Sequence, residues 1–250
     1  MSIPEAIAIA AAGVGAGTIN TVVGSGTLLT FPVLLAFGYS PVVANVSNTV
    51  GLVAGGVSGA HGYRAELAGQ RRRALTFGAA SMAGGIGGAA LLLALPGSAF
   101  KAIVPFFIGL ALLLVVLQPW LSKRLEGRSS TFGEHGAPWT LPAIFVVGLY
   151  GGYFGAAQGI LLLAVLGISL TEPLQRVNGL KNVLGTIANG VAAIVFVAAA
   201  HVDWRVAALL AAGSIVGGQV GARVGRRLPP PALRALIVVV GIAAIVKLAV

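Results

Sequence analysis

At 250 residues, 57% of them hydrophobic and only 9% charged, the chain lacks the charged surface of a soluble domain, which runs near a quarter, and so must use lipid as its main solvent. Its formal charge of +10 does not mark a nucleic-acid binder, because most basic residues cluster in short loops between apolar runs, where they orient helices. There is no cysteine, which excludes disulfides and thiolate metal sites.

Several apolar runs approach the ~20 residues needed to cross a hydrocarbon core. Backbone groups in lipid must bond internally, so such runs are helices or a closed barrel. The runs lack strict alternation, which excludes a barrel. In chain order, the first half predicts helices over 3–23, 26–37, 41–60, 75–95 and 100–121. The run at 3–23 follows no positive residue and does not read as a cleaved signal peptide. Residues 125–138 form a polar linker, with Gly127-Arg128-Ser129-Ser130-Thr131 as its flexible part. The second half predicts helices over 142–156, 159–169, 173–200, 206–223 and 232–250. The pieces at 26–37 and 159–169 are about a dozen residues, roughly 18 Å, and read as half-helices. Glycine-rich breaks precede them: Gly13-Val14-Gly15-Ala16-Gly17 and Gly24-Ser25-Gly26 in one half, then Gly148, Gly151-Gly152, Gly155 and Gly159 in the other.

The two halves repeat each other. Ser81-Met82-Ala83-Gly84-Gly85-Ile86-Gly87-Gly88-Ala89, then Leu95-Pro96, returns as Ser214-Ile215-Val216-Gly217-Gly218-Gln219-Val220-Gly221-Ala222, then Leu228-Pro229, at an offset of 133. The basic loops alternate between halves. Arg64, Arg71, Arg72 and Arg73 follow the third helix of the first half, whereas its partner loop holds His201, Asp203 and Arg205. The next loop has only Lys101 in the first half, but Arg223, Arg226, Arg227 and Arg234 in the second. Basic loops prefer the cytoplasm, so the halves are expected upside down relative to each other. Lys123, Arg124 and Arg128 place the linker inside as well, with both termini outside. The expected fold is all-α integral membrane: repeat 1–124, cytoplasmic linker 125–138, repeat 139–250, each repeat with about five helical pieces. An odd number of crossings per half is required, from three full helices plus a re-entrant pair or from five crossings, one of them short.

Inverted halves point to a site at their interface. A helix that starts inside the membrane exposes free N–H groups and a partial positive charge, which suits an anion. Ser25, Gly26 and Thr27 would open the first half-helix, with Asn20 nearby; Gln158 and Gly159 would open the second. The plainer alternative is that these glycines only allow close helix packing. The third helix carries Asn45, Ser47, Asn48 and Thr49, and its counterpart Asn178, Lys181 and Asn182, each set on one face. Lys181 either faces a cavity, because a mid-membrane ammonium costs roughly 3 kcal/mol or more, or snorkels to the surface beside Arg176. His61 and His201 end the third helices and read as solvated boundary residues. No Asp or Glu falls in the middle of an apolar run, and no Ser-His-Asp order, HExxH or P-loop occurs. An interior of amides, hydroxyls and one ammonium suits an anion.

The first break, followed by Leu28-Leu29-Thr30-Phe31-Pro32-Val33-Leu34, Gly38 and the polar patch at 44–49, resembles the TauE/SafE sulfite exporter family, and 155–167 running into 177–182 is similar. The resemblance implies a multi-pass plasma-membrane permease for sulfur-containing anions such as sulfite or a sulfonate. Asn48 stands where the family often has Ser or Thr, and the first break is poorer in consecutive glycine. The expected partners are the bilayer and a small anion, with homo-oligomerisation left open, no nucleic acid, no cofactor and no metal. A membrane enzyme and a non-transporting structural subunit are the rival readings; the enzyme would have to use His61 and His201, which inversion puts on opposite sides.

Overall fold

The structure, a computed structural model, describes residues 1–125, 136–224, 238–240, 242 and 245. Among these, nine helices follow in order: α1 (Ile3–Val22), α2 (Thr27–Ala36), α3 (Pro41–Gly62), α4 (Arg71–Ala94), α5 (Gly97–Leu125), α6 (Thr140–Tyr153), α7 (Gln158–Ser169), α8 (Leu174–Ala199) and α9 (Trp204–Val224). α1, α3, α4, α5, α8 and α9 are long and apolar enough to cross a membrane, while α2, α6 and α7 are shorter. The expected last helix at 232–250, the linker core 126–135, Arg226, Arg227, Arg234 and Leu228-Pro229 lie outside the described residues, apart from 238–240, 242 and 245.

Local chemistry sets several ends. α1 starts on a capping box in which Ser2 and Glu5 bond each other's backbone N–H, with Pro4 in the first turn. α3 starts with Pro41 after an extended Ser40. α4 begins at Arg71 rather than at 75, and α5 runs on to Leu125 rather than 121. Arginine and lysine are good helix formers whose heads reach water while their stems stay on the helix, so the hydrogen-bonded helix outlasts the apolar run. α6 has 14 residues, against 20 in its first-half counterpart α1.

Each short helix doubles back along its predecessor. A Cβ on Gly26 would overlap the Ala16 carbonyl, and one on Gly15 would lie 2.7 Å from Leu29 Cδ2. Tyr39, just past α2, donates to Glu5 at the start of α1 (3.2 Å). Burial first, then that hydrogen bond, pushes the Tyr39 hydroxyl up to about 12. α7 likewise ends near the start of α6: a Cβ on Gly136 would sit 3.4 Å from Ser169 Cβ. α3 and α8 run antiparallel. Gln70 beyond α3 donates to Arg176 O near the start of α8 (3.1 Å), and Ser47 Oγ near the start of α3 accepts from Asp203 N beyond α8 (2.9 Å).

The fourth helices are exchanged: α9 packs on α1 and α3, and α4 packs on α6 and α8. Ser81 Oγ donates to Leu184 O (2.8 Å) and Ser214 Oγ to Gly51 O (3.3 Å). Both donors and both acceptors are 133 residues apart, so this is one bond made twice with the halves traded. Gly84 and Gly88 press on the backbone of α6 at Phe145 and Leu149; Gly217 and Gly221 press on α1 at Val14 and Thr18. These are small-xxx-small contacts that let backbones touch. Gly13 and Gly17 serve the same seam from inside α1, against Leu210, Gly213 and Ser214, which corrects their reading as a break. Gly148, Gly151 and Gly152 also fall inside a helix, α6, and the second break is confined to 154–157.

Candidate functional site

The two chain breaks touch at the centre of the molecule. Gly24 (φ 88°) takes a left-handed conformation, as does Ala157 (φ 59°), its counterpart 133 residues on. A β-carbon is disfavoured there, so packing must hold Ala157 in place. Gly159 N donates to Gly24 O at 3.0 Å, and a Cβ on either glycine would overlap the Cα of the other. That bond occupies the Gly159 N–H; Gln158 N and Ile160 N are likewise engaged, by Gly155 O and Ala157 O. At the start of α2, by contrast, the N–H groups of Gly26 and Thr27 have no hydrogen bond among the described residues. The free positive helix end therefore belongs to α2.

Beside this contact lies a cavity of about 20 Å³, room for one water-sized group. α1 and its break contribute Asn20, Thr21 and Gly24; α2 contributes Thr27; α3 contributes Leu52, Val53 and Gly56. The second half contributes Gly155, Gln158 and Gly159 and, from α8, Lys181, Asn182, Gly185, Thr186 and Asn189. Among the described residues, Lys181 is the one ionisable side chain of the lining. It is 2% exposed, and its Nζ donates to Thr21 O at 3.3 Å. Asn182 Nδ2 donates to the same oxygen at 3.2 Å. Thr21 lies in the last turn of α1, where carbonyls lack helical partners and the dipole is negative. Of the two readings of Lys181, snorkelling is excluded: it sits roughly 10 Å along α8 and is buried. Arg176 is the residue at the boundary, on Glu172 and Ala68 O.

Six of the twelve expected site residues line the cavity: Asn20, Thr27, Gln158, Gly159, Lys181 and Asn182. The other six stand behind it or beside it. Asn45 Nδ2 donates to Tyr153 O (3.0 Å) and holds the end of α6. Asn48 accepts from Thr30 Oγ1 and donates to Thr27 Oγ1 (3.3 Å), fixing the start of α2 on α3. Thr49 returns its hydroxyl to Asn45 O (2.9 Å). Gly26 packs on Ala16. Ser25 Oγ and Asn178 Oδ1 are buried with no hydrogen-bond partner among the described residues. Thr186 and Asn189 were legible as a continuation of the Asn178–Asn182 face at spacings of three and four; Thr21, which acts through its carbonyl, was not.

Two apolar clusters adjoin the cavity. Phe31 of α2, one turn past Thr27, meets Phe154 edge-on at 5.2 Å and Phe100 at 6.5 Å. Leu163 and Leu166 of α7 belong to a cluster with Phe77, Ile144, Leu180 and Leu184. His61 and His201 are both exposed, at opposite ends of the molecule, and neither lines the cavity. No group of His, Asp and Glu suited to a metal occurs among the described residues.

A family model described as sulfite exporter TauE/SafE matches residues 9–248. The chain is 26% identical to the probable membrane transporter protein YfcA of Escherichia coli K12 over 233 residues, covering 90% of this chain and 82% of the relative. It is 26% identical to the probable membrane transporter protein ORF9 of Sinorhizobium sp over 234 residues, covering 93% and 88%. A probable membrane transporter protein of Haemophilus influenzae is 24% identical over 224 residues, covering 90% and 86%. No solved structure matches. The chain, a multi-pass membrane transporter rather than an enzyme, belongs to the TauE/SafE sulfite exporter family.

Proposed function

We propose that the chain carries a small sulfur oxyanion, sulfite or a short organosulfonate, through the cavity at Lys181. The observation that carries this reading is a lysine amine buried among lining residues that, among those described, include no carboxylate. Its one hydrogen bond goes to a backbone carbonyl, which offsets part of the charge. An anion completes the compensation, and Asn20, Asn182, Asn189 and Thr27 supply neutral donors around it. The N–H groups of Gly26 and Thr27 add the positive end of α2. The family description supplies the sulfur oxyanion; Lys181 and the amides supply the reason an anion is chosen over a cation.

The halves act as inverted repeats. Antiparallel α3 and α8, short helices that return to opposite ends of the molecule, and the traded serine bonds support this. Eight of the described lysines and arginines (Arg64, Arg71, Arg72, Arg73, Lys123, Arg124, Arg176 and Arg223) gather toward one end with Glu66 and Glu172, against Lys101 and Arg205 toward the other with Glu5 and Asp203. That charge bias puts the arginine end, with linker 125–138, in the cytoplasm and the N-terminus outside a plasma membrane. α1–α2 and α6–α7 are then re-entrant pairs. The cavity has room for about one water-sized group, so its lining must part for sulfite's four heavy atoms to load. Access from the Glu5 side requires Phe31, Phe100 and Phe154 to part. Lys181 exchanges the Thr21 carbonyl for the anion as the site loads.

The test is flux of radiolabelled sulfite and short sulfonates into proteoliposomes. Saturable uptake is expected, with Lys181→Met raising the half-saturating concentration at least tenfold, the value of one hydrogen bond to a charged group, about 1.5–3 kcal/mol. No saturable uptake across the panel, or Lys181→Met behaving as wild type, rejects the proposal.

A further inference from the structure

A second, larger cavity of about 280 Å³ lies at the arginine end, between the start of α4, the start of α6 and the connection from α7 to α8. Arg72, Arg73, Arg176, Glu172 and Thr76 form its polar wall, and Phe77 and Leu141 its apolar wall. Both Glu172 oxygens are taken, one by Arg73 Nη1 (2.5 Å) and the other by Arg176 Nε (2.6 Å). Burial alone would raise the Glu172 carboxyl, but the hydrogen bonds and charges of these two guanidinium groups outweigh it and hold it below the usual carboxylate range. The carboxylate therefore stays ionised at neutral pH and cancels one of three positive charges. Arg72 has no ion-pair or hydrogen-bond partner among the described residues.

The surroundings decide what would fill this space. Leu75, Trp139 and Leu141 are exposed around it, at 66%, 40% and 40%. In a membrane protein such side chains face acyl chains, and a tryptophan marks the headgroup level. The wall is thus cationic on one side and greasy on the other, at a membrane boundary. A freely soluble anion has no use for the greasy side.

We propose that this cavity holds the headgroup phosphate of an anionic phospholipid, with Arg72 and Arg73 on the phosphate and an acyl chain along Leu141 and Leu75. Basic pockets between membrane helices bind anionic headgroups in this manner. The site is separate from the central cavity and stands whether or not the anion reading of Lys181 does.

Native mass spectrometry and thermal titration of the full-length protein in detergent test it, with phosphatidylglycerol, phosphatidylcholine and inorganic phosphate as probes. Wild type is expected to retain phosphatidylglycerol and gain thermal stability from it, with little response to the other two. Arg72→Gln, which breaks no bond in the fold, is expected to weaken phosphatidylglycerol binding about fivefold, the worth of one arginine at an anionic surface. Thr76→Trp fills the cavity and is expected to expel the lipid by bulk. Wild-type affinity in either folded variant overturns the proposal. A response to inorganic phosphate equal to that for phosphatidylglycerol also overturns it, in favour of a free anion.

Discussion

Gly24→Ala strikes the point where the two halves touch, and its cost can be divided using two other glycines. At φ 88° an L-residue carries about 1–2 kcal/mol of left-handed strain. The new Cβ also overlaps the Gly159 backbone, an overpacking of about 1–3 kcal/mol. Relief of that overlap would break the Gly159 N–H bond to Gly24 O, worth about 1 kcal/mol. The expected total is about 3–6 kcal/mol. Gly38 has almost the same dihedral, φ 87°, and nothing within 4 Å of its would-be Cβ. Gly38→Ala therefore measures strain alone, about 1–2 kcal/mol. Gly159→Ala, in a helical conformation, measures the overlap and the lost bond without the left-handed strain, about 2–4 kcal/mol. Reversible SDS unfolding in mixed micelles gives the three numbers, and the Gly24 cost is expected to match the other two added together to within about 1 kcal/mol. Anion flux is expected to survive Gly38→Ala and to fail in the other two. If Gly24→Ala costs no more than Gly38→Ala, the breaks are not in backbone contact and the central cavity is not built as described.

Asn189→Leu is expected to raise the half-saturating anion concentration about tenfold with little change in stability, whereas Asn45→Leu leaves that concentration unchanged and costs about 1–3 kcal/mol by stranding the Tyr153 carbonyl; flux and unfolding measured on both variants separate the roles. Ser81→Ala is expected to cost about 0.6 kcal/mol and Ser214→Ala at least as much, because the Ser214 hydroxyl serves Ala211 O (3.1 Å) as well as Gly51 O while Ser81 serves Leu184 O; SDS unfolding of both variants measures the two costs. The Glu172 carboxyl is lowered in the folded protein, so its ion pairs contribute fully at neutral pH and are lost as pH falls below about 4.5, the unfolded value. The thermal midpoint of wild type is expected to drop in that window relative to pH 7, and that of Glu172→Gln to lack this component.

The six long described helices and the two half-helices α2 and α7 were legible because run length and glycine placement are local signals. Their ends were less so. Hydropathy marks where lipid stops, while Arg71–Arg73 and Lys123–Arg124 continue the helical bonding beyond it. Gly13, Gly15 and Gly17 read as a break because glycine has two uses, turning and close approach; only the position of α9 shows that Gly13 and Gly17 serve the second. The site was half legible for a related reason. Positions polar in both copies stand out in the sequence, which singles out the break residues that line the cavity and also Asn45 and Asn178, which do not. Asn189 was missed because its first-half counterpart is Gly56, and Thr186 because its counterpart is Val53. Asn45 and Asn48 have the right residue type and the right spacing, but their partners, Tyr153 O, Thr27 and Thr30, are supplied by chain distant in sequence.

That asymmetry has a physical reading. Asn48 and Lys181 occupy equivalent places in the two copies. Asn48 is bound on both sides of its amide, to Thr27 and Thr30, so the first copy uses its polar position to anchor a helix start. Lys181 has one carbonyl and a cavity, so the second copy leaves its polar position unsaturated. A perfectly symmetric pair would face two ammonium groups across the contact, and like charges in a low-dielectric site repel strongly, or two saturated amides, which offer an anion little. One anchored copy and one open copy leave a single ionisable amine at the seam. Asn48→Lys is therefore expected to destabilise the protein more than Lys181→Asn does, since the first strands Thr30 and adds a second buried cation while the second removes one. Equal stabilities for these two exchanges, measured by SDS unfolding, would show that the copies are interchangeable at this position and would remove the electrostatic reason for a one-anion site.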